Sequence, residues 1–126
     1  MAWELNNERP IYVQLMDYIK LGIISGKYPP GSKLPSVRDL AGVASVNPNT
    51  MQKALAELEN SKLIYSNRTS GRYVTEDETL VESCRSNLAT EYCNDFFIKI
   101  KSLGLTDEEI LSLINNCINE HPLVNM

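Results

Sequence analysis

Hydrophobic residues recur at steps of three and four in five stretches of the chain, with polar residues between them. This spacing is typical of helices that bury one face. The first stretch follows Pro10, which is expected to open a helix, and Gly26 is expected to end it. Its apolar face consists of Ile11, Leu15, Ile19 and Ile23. Residues 28–35 are rich in proline and glycine, so they predict an extended connector with Leu34 anchored in the core.

Two short helices, joined by a turn of three residues, are predicted between positions 36 and 60. Ser36 begins the first helix in a capping box with Asp39. Asn47 begins the second helix as its N-cap and is followed by Pro48 at the first helical position. The apolar stripe of this second helix is Met51, Ala54, Leu55 and Leu58. The polar side chains left facing outward near its start are Asn49, Thr50, Gln52 and Lys53.

This arrangement favours a helix-turn-helix whose second helix reads DNA. Asparagine and glutamine amides can pair with adenine in the major groove, and lysine can bind guanine or phosphate. The alternative is a helical hairpin with a solvated polar face, which the same pattern would also produce. The segments on either side favour the DNA-binding interpretation.

A β-hairpin is predicted directly after these helices, because residues 63–66 and 73–75 are β-prone and flank a polar loop that contains glycine. Arg68 and Arg72 give this hairpin a basic tip. An ordinary surface hairpin would show the same pattern, but a hairpin in this position is the wing of a winged helix-turn-helix. We therefore expect an α+β fold that is mostly helical, with a winged helix-turn-helix followed by a two-helix C-terminal dimerisation tail.

The tail is predicted to contain a long helix from Thr79 to Gly104 and a shorter one that begins at a capping box of Thr106 and Glu109 and ends near Glu120. Two helices with this much apolar surface cannot bury it against each other alone. They therefore pack either on the front of the chain or on a second copy of themselves, and we prefer the second copy. The residues expected at the homodimer interface are Leu80, Val81, Cys84, Leu88, Tyr92, Phe96, Ile100, Ile110 and Ile114.

Charge is distributed unevenly along the 126 residues, whose net charge is −4. Residues 1–75 contain nine Lys/Arg and six Asp/Glu, whereas residues 76–126 contain three and ten, which gives +3 and −7. A basic front and an acidic back suit a protein that binds a polyanion with one part only. We expect a DNA-binding domain over residues 1–75 and a helical dimerisation tail over residues 76–126.

Evidence for other chemistry is weak in this sequence. Cys84, Cys93 and Cys117 fit neither a disulfide framework nor a zinc site, so buried free thiols are expected. The single histidine, His121, has no evident partner, and no catalytic constellation is recognisable, so we expect no enzymatic activity, no cofactor and no metal. A signal peptide and long apolar stretches are absent, which favours a cytoplasmic protein without membrane association.

Three parts of the chain carry a family resemblance. Residues 30–41 include the run Leu-Pro-Ser-Val-Arg, residues 46–50 and 54–59 belong to the predicted recognition segment, and residues 69–74 end the hairpin. On these motifs the chain resembles the GntR family of bacterial transcription regulators over about residues 10–75, and its short tail resembles that of the YtrA-like subfamily. The resemblance implies a homodimeric repressor on a palindromic operator in double-stranded DNA. A winged-helix protein-interaction module without DNA binding is the alternative, and a small-molecule effector remains an open question.

The exposed positions and the resemblance together assign the residues expected to contact DNA. They are Arg38, Asn47, Pro48, Asn49, Thr50, Gln52, Lys53, Arg68, Thr69, Ser70, Gly71 and Arg72. Many relatives have arginine at the positions of Pro48 and Gln52, so their operator bases do not transfer to this chain. Many also have glycine at the position of Lys62. A left-handed lysine there costs roughly 1 kcal/mol, unless the helix cap shifts to Asn60.

Overall fold

The computed structural model describes residues 3–121, and in that range it contains five helices and one two-stranded sheet. The elements are α1 (Ile11–Ile24), α2 (Val37–Ala44), α3 (Pro48–Asn60), β1 (Ile64–Asn67), β2 (Gly71–Val74), α4 (Glu78–Lys101) and α5 (Asp107–Glu120). The predicted fold class, α+β and mostly helical, is confirmed. The chain divides into two compact units, the first ending at Ser86 and the second beginning at Asn87, so that the boundary falls inside α4.

Three helices of the first unit, α1, α2 and α3, supply most of its hydrophobic core. Their apolar stripes are buried as the sequence pattern predicts, except that Ile11 and Val37 at the helix starts are half-buried. The side chains of Leu15, Ile19 and Met51 have no exposed surface. Burying a side chain of this size stabilises the fold by about 1.5–3 kcal/mol. Leu34 is 3% exposed, which confirms that it anchors the extended connector in this core.

The starts of α2, α3 and α5 follow their capping signals to different degrees. At α2 the Oγ of Ser36 accepts from the amide of Asp39 at 3.1 Å, but the return bond from the Asp39 carboxylate is not formed in this part of the described chain. At α5 the capping box is complete: Thr106 Oγ1 accepts from the amide of Glu109, and Glu109 Oε1 accepts from the amide of Thr106. Each cap satisfies amides that the first turn of a helix leaves without partners.

Left-handed backbone conformations end both helices of the central pair. Ser45, with φ 58°, follows α2, and Val46 then donates its amide to the carbonyl of Ala41 at 3.0 Å. The turn between α2 and α3 therefore has the three residues predicted. Lys62, with φ 72°, adopts the left-handed conformation after α3, so the cap does not shift to Asn60, which stays inside the helix.

The first strand of the hairpin lies one residue later in the chain than the sequence pattern predicts. β1 and β2 are antiparallel and pair from Ile64 with Val74 to Asn67 with Gly71. The connector adds to this sheet, because Lys33 bridges to Tyr73 and the amide of Leu34 donates to the carbonyl of Arg72 at 2.8 Å. These bonds fix the start of α2 beside the hairpin.

The start of α4 does not belong to the apolar surface expected at the dimer interface. Leu80, Val81 and Cys84, which were expected at a homodimer interface, pack against the core of the first unit instead. In the second unit Leu88 and Ile110 are buried, and Ile100 and Ile114 are half-buried. The largest apolar side chains that remain exposed on this unit are Tyr92, Phe96, Phe97, Ile98, Leu103, Leu111, Leu113 and Ile118.

The expectation that all three cysteines are buried is wrong for two of them. Cys84 is half-buried, whereas Cys93 and Cys117 are exposed. The reason is that both lie on faces of α4 and α5 that no other part of the described chain covers. Within residues 3–121 no helix is long and apolar enough to cross a membrane.

Candidate nucleic-acid interface

The first two turns of α3 expose a polar face, because the opposite face of the helix is buried in the core. Asn49, Gln52 and Lys53 are exposed, and Thr50 is half-buried. Met51 and Leu55 point the other way and hold the helix in place. The exposed amides of Asn49 and Gln52 lie one turn apart on a rigid element, which is the arrangement that reading base edges requires.

The side chains at the start of α3 serve mainly as a helix cap. The Oδ1 of Asn47 accepts from the amide of Asn49 at 2.7 Å, and Pro48 occupies the first helical position. Asn47 and Pro48 are both exposed. Because the side-chain oxygen of Asn47 is engaged by the backbone, only its NH₂ group remains as a donor for another partner.

Lys53 is held by an aromatic side chain from α1. Its Nζ lies 4.1 Å from the centroid of the Tyr12 ring. A cation–π contact of this kind restrains the long lysine side chain while leaving its charge exposed. The ammonium is thus oriented before any ligand arrives.

The tip of the hairpin, residues 68–70, is ordered by its own side chains. The Oδ1 of Asn67 accepts from both the amide and the hydroxyl of Thr69 at 3.1 Å, and the hydroxyls of Ser70 and Tyr73 lie 2.7 Å apart. Gly71 has φ 117°, a conformation that favours glycine. Arg68 is exposed at this tip, as the sequence pattern predicts.

Arg72 is expected to contact DNA from the wing, but its side chain does not extend freely from the hairpin. Its Nε donates to the Oε1 of Glu59 at 2.5 Å, and its side chain is only 18% exposed. Its Nη1 lies 3.5 Å from the Oε1 of Gln52. The Ser66 hydroxyl donates to the same oxygen of Glu59 at 2.5 Å. This hydrogen bond and then the bond and charge of Arg72 lower the pKa of Glu59 below its ordinary value, although partial burial opposes them.

A groove of about 420 Å³ separates the start of α2 from the hairpin. Lys33, Ser36 and Arg72 are among the residues that line it. Arg38 lies in the first turn of α2, two residues after Ser36 in the chain, and its side chain is exposed. Lys33 and Arg72 lie on the hairpin side of the groove, and Asp39 lines it together with the start of α2.

The expected DNA-contacting residues all lie in the first unit. Gln52 of the recognition helix and Arg72 of the hairpin are in contact, which joins the two halves of the expected site. Sequence reasoning missed Glu59, Ser66 and Lys33. Glu59 is seven positions after Gln52 and so shares its side of α3, but nothing in the sequence indicates that the hairpin reaches it.

Comparisons with known proteins agree with this geometry. The family described as "Bacterial regulatory proteins, gntR family" matches residues 11–74, from the first residue of α1 to the last of β2. The HTH-type transcriptional repressor YtrA of Bacillus subtilis is 45% identical over 103 residues, which cover 80% of this chain and 78% of that protein. The uncharacterized HTH-type transcriptional regulator YhcF of the same species is 35% identical over 108 residues, with 86% and 89% covered.

Solved structures show the same relationship. A GntR family transcriptional regulator from Listeria monocytogenes has a TM-score of 0.81 at 38% identity and covers 89% of this chain and 98% of its own. The YtrA structure from Sulfolobus acidocaldarius, a GntR-family transcription factor, has a TM-score of 0.52 at 31% identity, with 97% and 99% covered. The DNA-binding domain of AraR in complex with operator ORE1 has a TM-score of 0.52 at 30% identity, with 60% and 94% covered. The chain therefore belongs to the gntR family of bacterial transcriptional regulators, is YtrA-like, and contains the winged-helix DNA-binding domain of that family.

Proposed function

We propose that the protein is a sequence-specific DNA-binding repressor that acts as a homodimer on a palindromic operator. The observation that carries the proposal is the exposed polar face of α3, which lies in contact with the hairpin and is flanked by cationic side chains. Residues 1–75 serve as the DNA-binding domain and residues 76–126 as the dimerisation tail. The relative with 45% identity is named as a repressor, which supports the direction of regulation.

On DNA, α3 enters the major groove and the hairpin lies along the neighbouring backbone. Asn49 and Gln52 contact base edges. The start of the helix lies closest to the groove and contains Asn47, Pro48 and Thr50. The residues that contact the backbone are Arg38, Lys53, Arg68, Thr69, Ser70 and Gly71. The AraR DNA-binding domain, which is similar to this one, was crystallised in complex with an operator, and this supports operator DNA as the partner.

The homodimer forms through the exposed apolar surface of the second unit. Tyr92 is 50% exposed and Phe96 is 43% exposed, although both are large aromatic side chains. Apolar side chains in such numbers on one pair of helices favour a protein partner, and a second copy is the commonest one. Two recognition helices related by a two-fold axis then match an operator with two inverted half-sites.

Selection from a library of DNA duplexes with a randomised central segment tests the proposal and identifies the operator sequence in the same experiment. The purified full-length protein is expected to enrich one motif with two inverted halves. The most enriched sequence, called here the selected duplex, is then compared with a scrambled duplex of the same composition. We expect affinities that differ by about 10³-fold or more, as is typical of specific regulators. A library without an enriched motif would contradict the proposal.

A further inference from the structure

A carboxylate near the end of α3 links the recognition helix to the wing. Glu59 lies two helical turns after Gln52, so both side chains project from the same side of α3. Ser66 and Arg72 are paired across the hairpin, and both donate to Oε1 of Glu59. One carboxylate oxygen thereby holds both strands of the hairpin against the recognition helix.

Arg72 extends this link back along α3 to Gln52. The Nη1 of Arg72 lies 3.5 Å from the Oε1 of Gln52. A guanidinium group has donors only, so it attracts the carbonyl oxygen of the glutamine amide and turns the NH₂ group outward. An unrestrained glutamine can offer a donor and an acceptor together, which is the combination that pairs with adenine. The restrained Gln52 offers mainly a donor.

The same pair changes the charge that the wing offers to DNA. The side chains of Arg72 and Glu59 are 18% and 29% exposed, and their charges compensate each other. Arg72 is therefore held away from phosphates as long as Glu59 is ionised. The lowered pKa of Glu59 means that the carboxylate keeps its charge over the whole neutral range.

We propose that Glu59 is a positioning residue for base discrimination, because it holds Arg72 against α3 and so makes Gln52 present its NH₂ group to the major groove. The proposal rests on the proposed reading role of α3. It assigns to Gln52 a preference for bases whose major-groove edge offers acceptors and no donor, guanine or thymine, over the paired reading of adenine. It also makes Glu59 a restraint on non-specific binding, because an unpaired Arg72 would contact phosphate.

The test uses full-length Glu59→Gln, with Glu57→Gln as the matched control. Glu57 is exposed on α3, and its side chain projects from nearly the opposite side of the helix, so its replacement removes the same charge without touching the link. Duplex selection is carried out with each protein and with Gln52→Ala, which identifies the operator position that Gln52 reads. At that position the wild type and Glu57→Gln are expected to select guanine or thymine, and Glu59→Gln is expected to shift towards adenine.

Affinity measurements provide the second readout. Glu59→Gln is expected to bind the scrambled duplex about two- to fivefold more tightly than Glu57→Gln does, and to discriminate about fivefold less between selected and scrambled duplexes. Arg72→Gln breaks the same link but leaves Glu59 charged and without its cationic partner, with only the hydrogen bond from Ser66. It should lose the same base preference and bind the scrambled duplex more weakly. The two substitutions should therefore change the affinity for the scrambled duplex in opposite directions, although they affect the same ion pair. A general loss of stability would not produce opposite changes, and thermal unfolding of each variant measures its stability separately.

The outcomes separate this proposal from the one on which it rests. If the wild type does not distinguish the selected duplex from the scrambled one, the reading role of α3 itself fails. If the wild type discriminates, and both Glu59→Gln and Arg72→Gln keep the base preference of Glu57→Gln, the positioning role of Glu59 is overturned. If Glu59→Gln does not fold, the base preference of Arg72→Gln decides alone.

Discussion

Lys62 adopts a left-handed backbone conformation with φ 72°, at the position that follows the cap of α3. A residue with a Cβ atom costs about 1–2 kcal/mol in this conformation. Glycine avoids that cost but loses part of the gain, because its unfolded state has more conformational freedom. We therefore expect Lys62→Gly to raise the free energy of unfolding by about 1 kcal/mol. Urea unfolding measures this, with Lys62→Ala as the control that removes the charge but keeps the Cβ. Equal stability of the two variants would show that the backbone at this position is not strained.

Replacing Asn49 and replacing Arg68 are expected to have different effects on DNA binding. Asn49 is proposed to contact base edges, whereas Arg68 is an exposed cation at the hairpin tip. Asn49→Ala should lose about 1–3 kcal/mol of binding free energy on the selected duplex and little on the scrambled one, and Gln52→Ala should behave in the same way. Arg68→Ala should weaken binding to both duplexes and make the salt dependence shallower. Titration of each variant at two salt concentrations measures these effects. Equal losses on both duplexes for Asn49→Ala and Gln52→Ala would remove α3 from the reading role.

α5 depends on a cap that the sequence predicts in full. Thr106→Ala removes the hydroxyl that accepts from the amide of Glu109, and we expect it to destabilise the protein by about 1 kcal/mol. Replacing Thr90, an exposed threonine inside α4, is the matched control and should cost little. The midpoint of urea unfolding measures both. A loss from Thr90→Ala as large as that from Thr106→Ala would contradict a specific role for the cap.

The acid sensitivity of this cap follows from the partner carboxylate. The backbone and hydroxyl bonds of Thr106 lower the pKa of Glu109 below its ordinary value. A carboxylate with a lowered folded-state pKa contributes stability that is present above its unfolded-state pKa and lost as the pH falls through the folded-state value. The destabilisation caused by Glu109→Ala should therefore be largest at neutral pH and decrease below about pH 4.5. A difference that stays constant between pH 7 and pH 3 would contradict this linkage.

Phe96 tests the association of α4 and α5 with a second copy. Its side chain is large, apolar and exposed, so Phe96→Glu should place a charge in the interface and produce monomers. Asn94→Glu adds the same charge to the same helix at an exposed polar position and should remain dimeric. Analytical ultracentrifugation at micromolar concentration measures the mass of each. A monomeric wild type, or a dimeric Phe96→Glu, would contradict the proposed role of the tail.

The helices of this protein could be predicted from sequence because their signals are local. Asn47 followed by Pro48, and Thr106 three residues before Glu109, define helix starts with residues that are neighbours in the chain. The link between Arg72 and Glu59 joins residues 13 positions apart in different elements, and no periodicity encodes it. Similarly, the packing of Leu80 on the first core depends on where α4 begins in space.

The front of the chain, residues 1–75, and the rest of it, residues 76–126, differ in charge, and this difference supports the proposed function. The first 75 residues carry a net charge of +3, whereas the rest of the chain carries −7. DNA binding by a protein of net charge −4 therefore requires cations gathered on one face, and the exposed residues Arg38, Lys53 and Arg68 are proposed to supply them. The contribution of this face can be measured directly, because each phosphate that a protein neutralises releases counterions.

The measurement that tests this account most directly is the affinity for the selected duplex as a function of salt concentration. Two copies of the cationic face are expected to neutralise on the order of six to ten phosphates, so the logarithm of the association constant should fall against the logarithm of salt concentration with a slope of roughly −5 to −9. The scrambled duplex serves as the reference for non-specific binding. A slope near zero, at any affinity, would contradict the claim that this protein acts by binding DNA.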